Sequence, residues 1–290
     1  MSGLRALLGA GRPLVVPGAA NALTARVIED CGFESLYVTG AGVANTHLGV
    51  PDIGLLTFGE MLAHVAAIRE AVSVPLIVDA DTGFGNPINV RRTVRDLERA
   101  GAAAIQIEDQ TFPKRCGHFA GKGVVPAAEM IAKIRAAVDA RRDDGTLIVA
   151  RTDARAVAGL DEACDRANAY RDAGADVVFV EAPRSEAEVE AVAARVRGPQ
   201  VINLVHGGVT PMLPERRLRE LGFAIVLHAN LPLLAGLKGV QDALRTLRAG
   251  TVPGEERLAS WEERQRLVRR AEFEELEARY ATPSPEEGTS

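Results

Sequence analysis

Short apolar segments alternate along the chain with longer segments whose apolar and charged positions recur with a helical period. Consecutive valine, isoleucine, leucine or alanine residues are typical of parallel strands that are buried on both faces. Eight segments of this kind occur, at residues 14–17, 35–38, 75–79, 103–107, 147–150, 176–180, 200–203 and 224–227. The pattern therefore predicts eight parallel strands.

The segments between these strands predict amphipathic helices that end at a glycine. Clear examples are residues 89–100, 166–173 and 214–221, which precede Gly101, Gly174 and Gly222. Eight strand–helix units predict an α/β fold, namely a (β/α)8 TIM barrel. An open doubly wound sheet is the alternative, but no Gly-x-Gly-x-x-Gly motif follows the first strand to support dinucleotide binding.

The segment after the eighth strand predicts further helices. Residues 231–249 predict the last barrel helix, and residues 255–280 predict a strongly charged helix that carries a few apolar side chains for assembly. The expected domains are a catalytic barrel at 1–250, a C-terminal helical extension at 251–282 and a disordered tail at 283–290.

Composition narrows the class of protein. The 290 residues carry a formal net charge of −5 with both signs mixed, so no basic patch predicts nucleic-acid binding. No apolar run approaches the ~18–20 residues of a membrane span, and the N-terminus lacks the apolar core of a signal peptide. Three distant cysteines do not predict a disulfide framework. We therefore expect a cytoplasmic protein.

Polar side chains follow most of the predicted strands, where barrel enzymes carry their active sites. Asp79 and Asp81 point the same way because alternate strand residues share a face. Two such carboxylates need a neutralising cation, and Mg²⁺ (or Mn²⁺) suits oxygen ligands, although a capping or salt-bridged pair is the alternative. Glu108 could join them through water, and Arg151 is expected to clamp a carboxylate in bidentate fashion.

The loop at residues 114–123 is polar and contains three glycines, which predicts a mobile lid. Lys114, Arg115 and His118 flank Cys116, and neighbouring cations lower the pKa of a thiol. Cys116 is therefore predicted to be chemically active, whereas Cys31 and Cys164 are expected to be inert packing residues.

Another small-residue segment, Thr39-Gly40-Ala41, follows the second strand. Its backbone N–H groups could bind a carboxylate. A tight turn without a ligand is the alternative.

The chain resembles the isocitrate lyase/phosphoenolpyruvate mutase superfamily over residues 14–280, most of all its methylisocitrate lyase and 2,3-dimethylmalate lyase branches. Lys114-Arg115-Cys116-Gly117-His118 resembles the lyase signature, and segments 37–42, 79–81, 106–110, 150–153, 181–183 and 203–211 support it. One departure is Phe119-Ala120-Gly121-Lys122, where methylisocitrate lyases typically have Arg-Pro-Asn-Lys. We therefore expect a short alkylmalate as the preferred substrate.

The resemblance implies a Mg²⁺-dependent carbon–carbon lyase. It would cleave a small 2-hydroxy di- or tricarboxylate, such as 2,3-dimethylmalate or 2-methylisocitrate, and release pyruvate or glyoxylate. The resemblance also implies a homotetramer that exchanges a C-terminal helix between subunits. The implied Mg²⁺ site comprises Asp81 surrounded by Asp52, Asp79 and Glu108, and the implied substrate contacts are Thr39, Gly40, Ala41, Gly117, Arg151, Glu181 and Asn203.

In this interpretation, Cys116 protonates the leaving carbanion, and Tyr37 is a candidate base that would need nearby cations to lower its pKa. Lys114, Arg115 and His118 are expected to assist in the lid. An oxaloacetate decarboxylase or a phosphonopyruvate- or carboxyphosphonoenolpyruvate-type enzyme is the alternative on the same fold. A catalytically silent barrel that serves in binding or assembly is the alternative from another class.

Overall fold

The computed structural model describes residues 3–119 and 121–281. Eight parallel strands pair in sequence order, and the eighth pairs with the first, so the sheet closes into a barrel. The strands are β1 Leu14–Ala19, β2 Leu36–Val38, β3 Leu76–Asp79, β4 Ala102–Glu108, β5 Leu147–Thr152, β6 Val177–Val180, β7 Gln200–Asn203 and β8 Ile225–His228. The predicted (β/α)8 barrel is confirmed.

A short helix precedes β1, and at least one helix follows each strand. They are α1 Leu4–Leu8, α2 Ala22–Asp30, α3 Gly40–Val43, α4 Phe58–Ala71, α5 Pro87–Arg99, α6 Ala127–Ala140, α7 Ala154–Ala158, α8 Leu160–Asp172, α9 Glu186–Arg195, α10 Glu215–Glu220, α11 Leu231–Arg248, α12 Trp261–Leu267 and α13 Arg270–Tyr280. A π-helix spans Ala44–Leu48, and a 3₁₀-helix spans Glu255–Arg257. No helix within the described part of the chain is both long enough and apolar enough to cross a bilayer.

Local sequence signals explain where several helices begin. Thr57 accepts a hydrogen bond from the backbone of Glu60, whose side chain bonds back to Thr57, and this capping box starts α4. Asn86 caps α5 in the same reciprocal way, and Pro87 occupies the first helical position, where no N–H is needed.

Successive side chains along a strand point alternately into two apolar layers. Leu147 and Val149 of β5 belong to the cluster inside the barrel, whereas Ile148 and Ala150 belong to the layer between sheet and helices. This alternation carries Arg151 to the inward side at the end of the strand. Strands β4 and β5 run further than the sequence predicts, so Glu108 and Arg151 are paired strand residues rather than loop residues.

The cysteines outside the lid differ from each other. Cys164 is buried in α8, as expected for a packing residue, but Cys31 lies at the end of α2 and is exposed. The expectation that Cys31 packs in the core is therefore wrong, because the thiol falls at a helix end rather than on its inner face.

The C-terminal part of the chain forms a compact unit of its own. The chain divides into two compact units after Gly236, inside α11, and the expected domain boundary at residue 250 stays a prediction. No residue of α11 is buried. Its exposed apolar residues are Leu231, Leu234, Leu237, Val240, Leu244 and Leu247.

The predicted single helix at 255–280 is also broken. Arg269 adopts a left-handed conformation with φ 56°, which separates α12 from α13. The exposed apolar residues on this segment include Leu258, Trp261, Val268, Phe273 and Tyr280. The predicted disordered tail at 283–290 lies outside the described residues.

Candidate active site

One end of the barrel holds a small cavity with a volume of about 40 Å³. Strand-end residues that the sequence predicts for the site line it together with residues 114–118 of the lid (residues 114–123). These strand-end residues are Tyr37, Thr39, Asp79, Arg151, Glu181 and Asn203. The alternation of strand residues is what directs them to a common point.

A buried ammonium group lies between two carboxylates of this site. Lys114 Nζ is 2.5 Å from Asp52 Oδ1 and 2.9 Å from Asp81 Oδ1. The adjacent Asp79 accepts hydrogen bonds from the backbone N–H groups of Gly40, at 3.3 Å, and Asp81, at 3.2 Å. Lys114 therefore belongs to the acidic group and not, as the sequence suggests, to the surroundings of the thiol.

Carboxylates outnumber cations at this end of the barrel. The buried acids are Asp52, Asp79, Asp81, Glu108, Asp153 and Glu181, and the buried cationic side chains are Lys114, Lys122 and Arg151. Burial raises the pKa of Asp81 to about 7 although Lys114 opposes this, and burial also raises the pKa of Glu108 well above its usual range. The site therefore contains more buried carboxylates than cationic groups, as expected of a site that binds a further cation.

The donor atoms fit Mg²⁺. Glu108 Oε1 is buried and accepts no hydrogen bond, and Asp81 Oδ1 has only the ammonium of Lys114 beside it. No three acidic, histidine or cysteine side chains in the described residues form a ready-made metal cluster. Mg²⁺ does not require one, because it usually binds one or two carboxylates and completes its shell with water and substrate oxygens. Asp79 and Asp81, with Glu108 nearby, provide that kind of partial shell.

Arg151 is held by three carboxylates. Its Nε and Nη2 donate to the two carboxylate oxygens of Asp153, at 2.9 and 3.1 Å. Its Nη1 is 3.2 Å from Glu181, and its Nε is 3.3 Å from Glu108. Burial opposes the charge, but these acids raise the pKa of Arg151 well above its usual range. The guanidinium is therefore a fixed cation in the cavity wall.

The lid covers the cavity through contacts at both of its ends. The backbone N–H of Cys116 donates to the carbonyl of Asp52 at 3.0 Å, and Lys122 Nζ donates to Asp153 Oδ1 at 2.7 Å. A Cβ on Gly117 would lie 2.4 Å from Arg151 Nη2, so only glycine permits this close approach. Asp153 therefore binds both the lid lysine and the arginine of the cavity wall.

His118 is also part of the closed lid. Its Nδ1 accepts a hydrogen bond from the Val209 N–H at 3.3 Å, and its Nε2 is 3.7 Å from Glu181 Oε1. Neither His118 Nε2 nor Glu181 Oε1 has a hydrogen-bond partner, although both atoms are buried. Both groups can therefore exchange protons or hydrogen bonds with a bound molecule.

The protonation state of Cys116 differs from the expectation based on its basic neighbours. Burial raises the pKa of the thiol, and Asp52 and Glu181 add to the effect, whereas Arg151 opposes it. The expected lowering by lysine does not occur because Lys114 and Lys122 are each paired with an aspartate. The group is a protonated thiol, which suits a proton donor better than a nucleophile.

Tyr37 is likewise unsuited to the role of base. Burial raises its pKa well above 10.0, and the nearby Asp79 acts in the same direction. Arg151 opposes this, but more weakly. The hydroxyl therefore stays protonated near neutral pH and can donate a hydrogen bond to a ligand.

The small-residue segment after β2 is the capped start of helix α3. Thr39 Oγ1 accepts from the Gly42 N–H at 3.1 Å and donates to Asn230 Oδ1 at 3.3 Å. The Gly40 N–H, which the sequence predicts for a ligand carboxylate, instead donates to Asp79. Ala41 does line the cavity.

Two charged residues of the site are not apparent from their sequence context. Asp153 lies two positions after Arg151, the spacing that identified Asp79 and Asp81, and this spacing could have indicated it. Lys122 pairs with Asp153, 31 residues later in the sequence, so only the tertiary structure reveals its partner. Asp109 accepts a hydrogen bond from the Asp153 N–H at 2.9 Å and from Tyr170 Oη at 2.8 Å.

Two further predicted residues lie at the cavity. Arg115 lines it but has an exposed side chain, and its backbone N–H donates to Gln110 at 3.0 Å. Asn203 Oδ1 is buried without a hydrogen-bond partner. Phe119, however, does not line this cavity; with Val157 and Val209 it borders a separate, larger one of about 230 Å³.

Comparison with known proteins adds family information to this geometry. The family model described as phosphoenolpyruvate phosphomutase matches residues 4–248. A 2,3-dimethylmalate lyase of Eubacterium barkeri is 43% identical, with 96% of this chain and 97% of that protein covered. A 2-methylisocitrate lyase of Aeropyrum pernix is 48% identical, with 84% of this chain and 78% of that protein covered.

Solved structures agree with these relatives. An oxaloacetate acetylhydrolase bound to the inhibitor 3,3-difluorooxalacetate has a TM-score of 0.91 and 33% identity, with 97% of each chain covered. A phosphonopyruvate hydrolase complex with oxalate and Mg²⁺ has a TM-score of 0.86 and 33% identity, with 96% of this chain and 97% of that chain covered. The fold is thus shared by proteins that act on short oxo acids.

Lys122→Met should loosen the lid, because Asp153 loses one of its two cationic partners. We expect iodoacetamide to alkylate Cys116 several-fold faster, measured by mass spectrometry of its peptide. The exposed Cys31 in the same sample is an internal control whose rate should not change. An unchanged rate at Cys116 would mean that this ion pair does not hold the lid closed.

Proposed function

Because this chain belongs to the phosphoenolpyruvate phosphomutase family, within the isocitrate lyase superfamily, we propose that it is a Mg²⁺-dependent carbon–carbon lyase. Its substrate is a small 2-hydroxy dicarboxylate, which it cleaves by a retro-aldol reaction. The family membership and the lyase relatives support this class of reaction. The alternatives stated for the sequence, an oxo-acid decarboxylase or a phosphonate enzyme, occur on the same fold.

One observation carries the proposal: the lid carries a protonated, partly buried thiol, which lies beside a group of buried acids that outnumber their cations. A silent assembly protein has no need of buried carboxylates in excess of their cations, because each uncompensated charge lowers stability. The lyase interpretation uses both features.

The metal would be held by Asp79 and Asp81, with Glu108 reached through water. When bound, Mg²⁺ supplies a positive charge that orients the substrate's hydroxyl and carboxylate and favours loss of the hydroxyl proton. Asp52 lies beside these residues, because the same Lys114 contacts both Asp52 and Asp81.

Arg151 binds a substrate carboxylate, since its guanidinium is already fixed in the cavity wall. The hydroxyl proton passes to Glu181, whose Oε1 is buried in the cavity wall with no hydrogen-bond partner. Glu181 takes the role that the sequence suggested for Tyr37, whose raised pKa leaves it a donor.

Cleavage then proceeds with a balanced transfer of protons. The C2–C3 bond breaks as the C2 hydroxyl becomes a carbonyl, and the bonding electrons pass to C3, next to its own carboxylate. Cys116 donates its thiol proton to C3, which completes a saturated carboxylate and leaves pyruvate or glyoxylate as the other product. The closed lid excludes water from the carbanion until that transfer is complete.

Activity should require a divalent metal, and Asp81→Ala should abolish it. The expected loss follows from removing one of the two carboxylates on which the site depends. The assay is release of pyruvate or glyoxylate after EDTA treatment and after addition of Mg²⁺. Asp144→Ala, at a fully exposed carboxylate, is the control that should behave as wild type. Full activity in EDTA would reject the metal.

Cys116→Ser should lower kcat by at least about a hundredfold, the usual contribution of a positioned proton donor. A hydroxyl is a far weaker acid than a thiol, while the size of the side chain barely changes. Cys164→Ser tests the chemical change alone, away from the site. Near-normal cleavage by the Cys116 variant would assign the proton to another group.

The preferred substrate should be a short alkylmalate such as 2,3-dimethylmalate. The cavity is small, and two arginines line it, Arg151 and Arg115, which suits two carboxylates. Phe119 borders the separate, larger cavity, so the preference depends on the size and charge of the substrate.

This preference predicts a kcat/KM at least about tenfold higher for 2,3-dimethylmalate than for 2-methylisocitrate, within the range that such pockets discriminate. Oxaloacetate belongs in the same panel, because a structurally similar protein acts on it. A higher kcat/KM for methylisocitrate would overturn the small-substrate preference and leave the lyase chemistry intact. Turnover of oxaloacetate alone would replace the lyase with a hydrolase or decarboxylase.

We further propose a cytoplasmic homotetramer in which the C-terminal segment packs on a neighbouring subunit. The exposed apolar residues of α11 recur three or four positions apart, which is the pattern of a helix face that packs against something. The free thiols of all three cysteines suit a reducing compartment.

Replacing two of these residues, Leu237→Glu with Leu244→Glu, should lower the oligomeric state measured by light scattering. The two substitutions would place two unpaired negative charges in the apolar contact between subunits. Lys238→Glu makes the same change in formal charge on the same helix, at a polar position, and should leave the assembly unchanged. An intact tetramer in the double variant would exclude α11 from the interface.

A further inference from the structure

The loop that carries Asp81 has an unusual backbone. Asp81 and Phe84 adopt left-handed conformations with φ 47° and 58°, and Gly83 between them has φ 83°. Residues other than glycine rarely adopt this backbone conformation, so surrounding contacts must maintain it. A Cβ at Gly83 would lie 2.4 Å from Val90, which shows how closely the loop packs on α5.

Two side chains behind the loop bind its carbonyl oxygens. Lys133 Nζ, from α6, donates to the carbonyl of Thr82 at 3.2 Å, and Thr93 Oγ1, from α5, donates to the carbonyl of Gly83 at 3.1 Å. Both residues are buried, at 4% and 2% exposure. The Asp81 carbonyl itself accepts from the Glu108 N–H at 2.8 Å. Three consecutive peptide carbonyls are thus bound from three different elements.

Lys133 is the more unusual of the two residues. It lies on the inner face of α6, where the other buried residues are apolar, among them Met130 and Ile134. The nearest carboxylate, Glu129, is 3.6 Å away and half-exposed, so it compensates the ammonium only weakly. A buried lysine is unfavourable unless its hydrogen bonds are needed. An apolar residue would satisfy the packing of α6.

We propose that Lys133 and Thr93 are positioning residues that hold the loop so that the carboxylates of Asp79 and Asp81 converge on a divalent cation. This inference rests on the proposed metal site and extends it to two helices that do not touch the substrate cavity. The hydrogen bonds to Thr82 and Gly83 keep Asp81 in a conformation that it would otherwise leave. Their loss should therefore weaken metal binding without removing any metal ligand.

The test measures Mn²⁺ binding directly, by the electron paramagnetic resonance signal of free Mn²⁺, with substrate absent. Thr93→Val removes one hydroxyl and keeps the shape, and we expect binding to weaken about threefold to tenfold, as for a lost buried hydrogen bond. Thr93→Ser restores the donor and should bind nearly as wild type. Thr146→Val is the matched control, because Thr146 is equally buried but precedes β5 at the other end of the barrel.

Lys133→Met should weaken Mn²⁺ binding further, and Lys133→Arg, which keeps a cationic donor, should recover part of it. Thermal unfolding of every variant separates positioning from general stability. If Thr93→Val and Lys133→Met lower only the unfolding temperature and bind Mn²⁺ as wild type, the two residues are structural and the inference is overturned. If wild type and Asp81→Ala bind Mn²⁺ equally, the metal site itself is wrong, and the inference fails with it.

Discussion

The excess of buried negative charge at one end of the barrel is the constraint on which the site depends. Six carboxylates share that volume with three cationic side chains, and burial holds the pKa of Asp81 near 7. Such an arrangement is unfavourable in isolation, because each charge loses its hydration. In the function we propose, a cation and an anionic substrate would offset this cost when they bind.

The fold offsets part of the free-energy cost of these buried charges by pairing them with each other. Asp153 binds Arg151 and Lys122 together, and Asp109 beneath it accepts hydrogen bonds from the Asp153 N–H and from Tyr170. The chain of contacts runs from a helix behind the sheet to the lid over the cavity. Closure of the lid and orientation of the arginine consequently share one carboxylate, so a change at Asp153 affects both.

The same surroundings determine the chemistry of the thiol. The lid brings Cys116 into a partly buried position near Asp52 and Glu181, and its pKa rises instead of falling. A thiol in that state can give a proton to a carbanion but is a poor nucleophile. The local sequence alone suggests a lowered pKa, because Lys114 and Lys122 lie within a few residues of Cys116. In the structure, each of these lysines is neutralised by an aspartate.

The sequence by itself determined the barrel and named most residues of the candidate site. Runs of apolar residues located all eight strands within two residues or so, the period of two indicated Asp79 and Asp81, and the end of the fifth strand indicated Arg151, since these patterns are local. The tertiary structure decided what depends on distant partners. It paired Lys114 with Asp52, 62 residues earlier, raised the pKa of Tyr37 and Cys116 through burial, and left the apolar face of α11 exposed. Burial and long-range pairing depend on closure of the whole sheet, and no segment of the sequence carries that information alone.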